Sequence, residues 1–241
     1  MGGEQADPAT DYTTMNNKSS THMGSSKSVA IRLMLEWAGT LLMLIVIFMV
    51  RCALEVAVPL YLTRRYIWTP TRISMVLLTI TLPAVLNPVI GGLTSSQGPR
   101  WWSTAGFIIC GGTLFRFGQM TGSSDNSQMT FVIHLIVVGL CLAVLINANQ
   151  VAISVASQRY GFARTQVVAN GEELGLLLSM ISPSTMLSGV TSSWAAGSLL
   201  GPAFSSLVPY TEDAGWQRLC QGLGGLCLIA AAVNVFLWRK W

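Results

Sequence analysis

The feature that most limits what this chain can fold into is a series of six apolar runs, each long enough to cross a bilayer as a helix. The cleanest is Leu135-Ile-Val-Val-Gly-Leu-Cys-Leu-Ala-Val-Leu-Ile146, an uncharged core inside a run of about 131–154. A span in hydrocarbon needs about 20 predominantly apolar residues and excludes charge, whereas a soluble domain needs charge to keep its surface in water. With 51% hydrophobic residues, 10% charged residues and a mean hydropathy of +0.55, the chain belongs to the first class. The expected fold is an all-α membrane protein with six transmembrane helices, at about 29–62, 73–93, 101–119, 131–154, 185–208 and 216–237.

Residues 1–28 are polar, carry no apolar periodicity and are expected to form a disordered tail. They lack the basic start and immediate apolar core of a signal peptide. Asp125-Asn-Ser reads as a short connector, and a longer one carries Arg159, Arg164, Glu172 and Glu173 and ends near Pro183. Six spans put both termini on one side. That side holds Lys18, Lys27, Arg32, Arg100, Arg159, Arg164, Arg239 and Lys240, against Arg64, Arg65, Arg72, Arg116 and Arg218 on the other. The bias places the termini in the cytoplasm, with the chain in a plasma, vacuolar or vesicular membrane.

The basic residues are scattered between spans and form no stripe, so nucleic acid is not an expected partner; the lipid bilayer is. Five cysteines are odd in number and lack any C-x-x-C, which fits neither a disulfide framework nor a zinc site. His22 and His134 are the only histidines, and there is no Ser/His/Asp set, metal-ligand spacing or P-loop. No metal, no cofactor and no enzymatic reaction are expected.

Between the second and third runs lies Gly91-Gly-Leu-Thr-Ser-Ser-Gln-Gly-Pro-Arg100, read as a short polar turn. Gly91, Leu93, Gly98 and Arg100 stand at G-x-L-x-x-x-x-G-x-R, which resembles the loop signature G-x-L-x-D-R-x-G-x-R of the major facilitator superfamily. Ser95-Ser96 replace the family's Asp-Arg. Leu54-Glu-Val-Ala-Val-Pro-Leu-Tyr-Leu62, Ile67-Trp68, Leu82-Pro-Ala-Val-Leu-Asn-Pro-Val-Ile-Gly-Gly92, Ser193-Trp-Ala-Ala-Gly-Ser-Leu-Leu-Gly-Pro202 and Gly215-Trp216 resemble, in order, stretches of the C-terminal six helices of fungal drug-transporter-like (drug:proton antiporter type) members.

The resemblance implies a half bundle made of two three-helix inverted repeats. It implies alternating-access transport of a small organic solute, with proton coupling. The tail begins where the family's central cytoplasmic loop stands, so the expectation is a half-length or truncated transporter. Such a chain would work with a missing N-terminal half or as a homodimer. The alternative is a non-transporting half-bundle that binds or regulates a full-length relative, or an inactive remnant. In the family the loop's Asp and Arg cap and bridge cytoplasmic helix ends. Ser95 can still cap backbone N–H groups, but it cannot make a charge-assisted bond, which is roughly twice as strong.

Several residues are candidates for a substrate or coupling site. Arg51 and Glu55 are ionisable groups inside a span, which usually face a cavity or each other. At i and i+4 they can pair, so self-neutralisation and function both remain open. Asn87, between Pro83 and Pro88, either satisfies a carbonyl freed by proline or touches substrate. Asn147, Asn149 and Gln150 cluster near the cytoplasmic end of the fourth run, for interhelical hydrogen bonds or for substrate. His134, near the outer end, reads as solvated. Gly197, Gly201 and Pro202 read as packing and bending residues, with the two glycines on one helix face.

Overall fold

The structure, a computed structural model, describes residues 9–119, 125–169, 183–208 and 213–239. Among them it is all helical, with no strand. The elements are α1 (Ala9–Tyr66), α2 (Pro70–Thr81), a 3-10 segment (Leu82–Leu86), α3 (Asn87–Gln97), α4 (Pro99–Gly118), α5 (Asp125–Ala169), α6 (Pro183–Ser206) and α7 (Asp213–Arg239).

Four stretches are long and apolar enough to cross a membrane: Met34–Tyr66, Pro70–Ser96, Gln128–Gln158 and Ala214–Phe236. This architecture is compatible with a multi-pass integral membrane protein. The other two expected spans are helices as well, α4 with 20 residues and α6 with 24. They are less apolar because α4 carries Arg116 and a string of Gly, Ser and Thr, and α6 is dense in Ser, Thr and Gly.

Several boundaries differ from the sequence reading. The stretch expected to be a disordered tail is helical from Ala9 onward. Between Pro8 and Val29 there is no further proline and a single glycine, Gly24, so no strong helix breaker other than Gly24 stands in this stretch. Pro59 lies inside α1, which continues past it to Tyr66. Asp125-Asn-Ser opens α5 instead of forming a connector, and α5 runs beyond residue 154 to Ala169, taking in Arg159 and Arg164. Glu172 and Glu173 lie outside the described residues.

The second run is a single path broken in the middle. Pro83 and Pro88 each remove an N–H and crowd the carbonyl four residues earlier. Between them the backbone tightens into the 3-10 segment before α3 resumes.

The polar turn expected at Gly91–Arg100 shrinks to one residue. Helix α3 continues through Gln97, Gly98 alone reverses the chain at φ 94°, ψ 126°, and Pro99 opens α4. That backbone region favours glycine, and Pro at a first helical position forfeits no hydrogen bond. The hydroxyls of Thr94, Ser95 and Ser96 donate to the carbonyls of Gly91, Gly92 and Leu93 at 3.0, 2.8 and 3.0 Å. Ser95 therefore does not act as an N-cap. Its hydroxyl bonds back to its own helix, as a short hydroxyl side chain can in a helix interior.

Contacts between elements fix the direction of each. At one end of the bundle Tyr61, Phe117, Phe131 and Trp216 form an aromatic knot, with ring centroids 4.4 Å apart for Tyr61–Trp216 and 4.5 Å for Phe117–Phe131. The end of α1, the end of α4 and the starts of α5 and α7 therefore meet there. At the other end Glu36 of α1 pairs with Arg100 of α4. Taking α2, the 3-10 segment and α3 as one limb, the six limbs alternate in direction.

The first limb packs most extensively on the fifth (α1 on α6), the third on the sixth (α4 on α7), and the second on the fourth (α2 to α3 on α5). The α1–α6 contact is a glycine seam. A Cβ added at Gly197 would meet Phe48 Cβ at 2.6 Å and the Ile45 carbonyl at 2.8 Å, and one at Gly201 would meet the Met49 carbonyl at 2.7 Å. With Gly189, Ser193 and Ser205 these residues recur every four positions along one ridge of α6. Small residues let helix backbones approach closely where lipid supplies no hydrophobic drive.

Gly197→Ala should therefore lower the thermal midpoint of the protein in detergent, by an overpacking cost of about 1–3 kcal/mol. Gly112→Ala, where an added Cβ meets nothing within 4 Å, should be neutral or slightly stabilising through helix propensity.

Candidate functional site

The candidate site follows from where charge lies along α1. Glu36 and Arg64 are 28 residues apart, about 42 Å of helix at about 1.5 Å per residue. That matches the roughly 40–45 Å of a bilayer with its headgroup layers. Arg51 lies 15 residues from one and 13 from the other, at mid-depth.

At this depth Arg51 Nε donates to Glu55 Oε1 at 2.9 Å, and the two side chains remain 34% and 40% exposed. The i, i+4 spacing produces the pair directly. Around it stand Pro59, which leaves the Glu55 backbone carbonyl without its usual helical donor, and Cys52, whose thiol lies 3.7 Å from Ser198 Oγ of α6.

Asn87 and Asn147 are brought together, as a second and separate group. Asn147 Nδ2 donates to Asn87 Oδ1 and to the Ala143 carbonyl, both at 2.8 Å. The two amides thus tie the broken second limb to α5, next to Gly91, where an added Cβ would lie 3.9 Å from Asn147 Oδ1. Asn149 is buried and donates to the Leu145 carbonyl at 2.8 Å. Gln150 is exposed and joins neither group. Measured along α1 and α5 from the level where Tyr61 meets Phe131, Arg51 is 10 residues in and Asn147 is 16. The amide pair is thus about 9 Å nearer the tail side than the ion pair.

The signature residues divide in the same way. Gly98 is the reversal and Leu93 is exposed, while Ser95 and Ser96 serve their own helix. Arg100 reaches out of the motif to Glu36, whose side chain is 11% exposed. Asn234 of α7 donates to Thr104 Oγ1 at 3.1 Å, and Thr104 donates to the Arg100 carbonyl at 3.0 Å. One polar belt therefore links α7, α4 and α1 at the tail side.

Sequence reasoning missed Glu36. Its signal was a lone carboxylate near the start of the first apolar run, level with the start of the third. His134 is half-buried, with Nδ1 2.8 Å from the Thr130 carbonyl and its ring parallel to that of Phe117.

Among the described residues no group of three or more His, Cys, Asp or Glu is arranged to hold a metal ion. The five cysteines are free thiols, with Cys110, Cys141, Cys220 and Cys227 buried. The chemistry on offer is charge and hydrogen bonding at two depths. No protein-family model, no curated protein and no solved structure matches the chain.

A lone charge at the centre of a span costs about 2.5–3.5 kcal/mol on insertion scales. Arg51→Leu or Glu55→Leu alone should therefore lower the membrane level and thermal midpoint more than Arg51→Leu/Glu55→Leu together. Quantitative blotting and thermal denaturation of the three variants would read the order. At the tail side, Glu36→Arg should be rescued by Arg100→Glu and not by Arg64→Glu.

Proposed function

We propose that the chain is a six-span bundle of the major facilitator type that takes part in moving a small organic solute across a membrane by alternating access. The observation that carries this reading is the order of helix pairing. Advance every limb by three positions, and the first-with-fifth contact becomes the fourth-with-second. The first-with-sixth becomes the fourth-with-third, while first-with-fourth and third-with-sixth return to themselves. The larger contacts between non-consecutive limbs are thus all conserved by the operation. Alternating limb directions make each three-limb unit inverted relative to the other, the repeat on which such carriers are built.

The ion pair supports the same reading. Ionisable groups within a span mark ion and solute paths, and substrate sites in carriers lie near the midplane at the interface between repeats. Arg51 offers guanidinium N–H groups beyond the one given to Glu55, and Glu55 offers a second oxygen. Together they can hold a polar solute or exchange a proton with it. Asn87 and Asn147 are better explained as the tie that steadies the proline-broken limb. A carrier encloses its site between two bundles, so transport by this chain involves a second one, supplied by a homodimer or by an N-terminal half. In the non-transporting alternative the half-bundle binds a full-length relative. Ser95 and Ser96 favour that alternative, since neither bridges to another helix.

Purified protein in proteoliposomes, with a pH gradient and a panel of labelled organic cations, anions and neutral solutes, provides the test. Gradient-driven accumulation of at least one solute, reduced about tenfold or more in Arg51→Gln/Glu55→Gln at equal reconstitution, is the expected result. No flux of any solute, from protein that reconstitutes and melts cooperatively, would favour the non-transporting bundle.

A further inference from the structure

We propose that Cys110 of α4 and Cys227 of α7 are an oxidisable thiol pair, which a peroxide joins as a disulfide that braces the bundle from within. The pair does not depend on the carrier reading above, since its oxidation is the same whether or not the chain moves a solute.

Contacts at three levels set the register of α4 against α7. Asn234 donates to Thr104 Oγ1 at 3.1 Å, a Cβ added at Gly111 would lie 3.0 Å from the Gly224 carbonyl, and one at Gly118 would lie 2.9 Å from Cys220 Cβ. The two helices run antiparallel, so a step forward along α4 is a step back along α7. Cys110 is six residues on from Thr104 and Cys227 is seven back from Asn234. The two cysteines therefore fall opposite one another, well inside both helices. They are 0% and 1% exposed, and the Cys110 thiol lies within hydrogen-bonding reach of the Cys227 thiol.

The register of α4 against α5 adds a third sulfur. A Cβ added at Gly106 would lie 2.9 Å from Leu145 Cδ2. Cys110 is four residues on from Gly106 and Cys141 is four back from Leu145, so Cys141 stands at the same level, buried, and interacts with both of the others. The two remaining cysteines are elsewhere: Cys220 has Gly118 opposite it, and Cys52 faces Ser198 of α6. Because the gathered thiols are not arranged to hold a metal ion, the chemistry they share is that of sulfur with sulfur.

The glycines beside the pair provide its spacing. Gly111 and Gly224 each place an added Cβ 3.0 Å from the other's carbonyl, so α4 and α7 pack backbone on backbone here. A disulfide needs Cα atoms about 4.4–6.8 Å apart, a separation that facing residues on helices in such contact provide.

Burial selects the oxidant. Charged reagents do not enter a span, whereas hydrogen peroxide is small and uncharged. In the first step the O–O bond breaks, one sulfur takes an oxygen to become a sulfenic acid, and its proton leaves with the other oxygen as water. The facing thiol then attacks that sulfur. The S–O bond breaks, the S–S bond forms, and a second water carries off the second proton. Two electrons pass from the sulfur pair to one peroxide. Because the partner thiol is already held opposite, the second step is intramolecular and outruns further oxidation. The bond closes a long loop of chain and ties the third limb to the sixth.

Peroxide treatment of the purified wild-type protein in detergent, followed by alkylation of the remaining thiols, digestion and mass spectrometry, tests the assignment. A linked peptide pair carrying Cys110 and Cys227 is expected, with a fall from five alkylated cysteines to three. A dithiol reductant should reverse both, and the oxidised form should melt about 5 °C or more above the reduced one. Cys141→Ser and Cys220→Ser should keep the link and the shift, while Cys227→Ser should lose both.

Five alkylated cysteines in protein whose exposed Met75 and Met129 have become sulfoxides would overturn the pair. So would a dominant link through Cys52, Cys141 or Cys220, or between two chains. A Cys110–Cys227 link that leaves the melting point unmoved would overturn the brace.

Discussion

In the bilayer for which its four long apolar helices are suited, this structure depends on the backbone's need for hydrogen-bond partners in a medium that supplies none. Helices meet that need within themselves, and nearly all of the described residues are helical. The same medium removes the usual reason for helices to associate, since lipid is as apolar as a leucine side chain. Association then rests on contacts that lipid cannot imitate. One is backbone against backbone, as along the seam of Gly189, Gly197 and Gly201 on α1, or at Gly139, where an added Cβ would lie 2.7 Å from the Ile80 carbonyl. The other is polar group to polar group, as between Asn87 and Asn147 or Glu36 and Arg100.

These contacts are distributed by depth. The aromatic knot of Tyr61, Phe117, Phe131 and Trp216 closes one end and the belt of Glu36, Arg100, Thr104 and Asn234 closes the other. Each end joins helices from both three-limb units. The middle of the bundle carries the features least suited to a static membrane protein: an open ion pair, and a limb whose helix is interrupted between two prolines.

What was legible in the sequence was what a single helix determines. Apolar runs gave the helical class, the spacing of Arg51 and Glu55 gave their pairing, and that of Gly197 and Gly201 gave their common face. Contacts that need a neighbour were not legible. Arg100 is 64 residues from Glu36, and Asn87 is 60 from Asn147. Neither pair is visible until the order of limbs around the bundle is known. The polar turn misled for a different reason. Thr94, Ser95 and Ser96 read as loop formers, yet a hydroxyl that finds a carbonyl in its own preceding turn can stay in a helix. Only Gly98, with its positive φ, had to leave it.

A one-residue link has a mechanical meaning. With only Gly98 between them, α3 and α4 have no slack, so a tilt of α3 must be taken up as a displacement of the start of α4. The start of α4 is where Arg100 holds Glu36. The proline-broken segment at Leu82–Leu86 interrupts the α-helix of the second limb, and the Arg100–Glu36 pair ties α4 to α1 at the tail side. Gly98 joins the two in series, so a flexing of the middle of the bundle is delivered as force on the lock at its end.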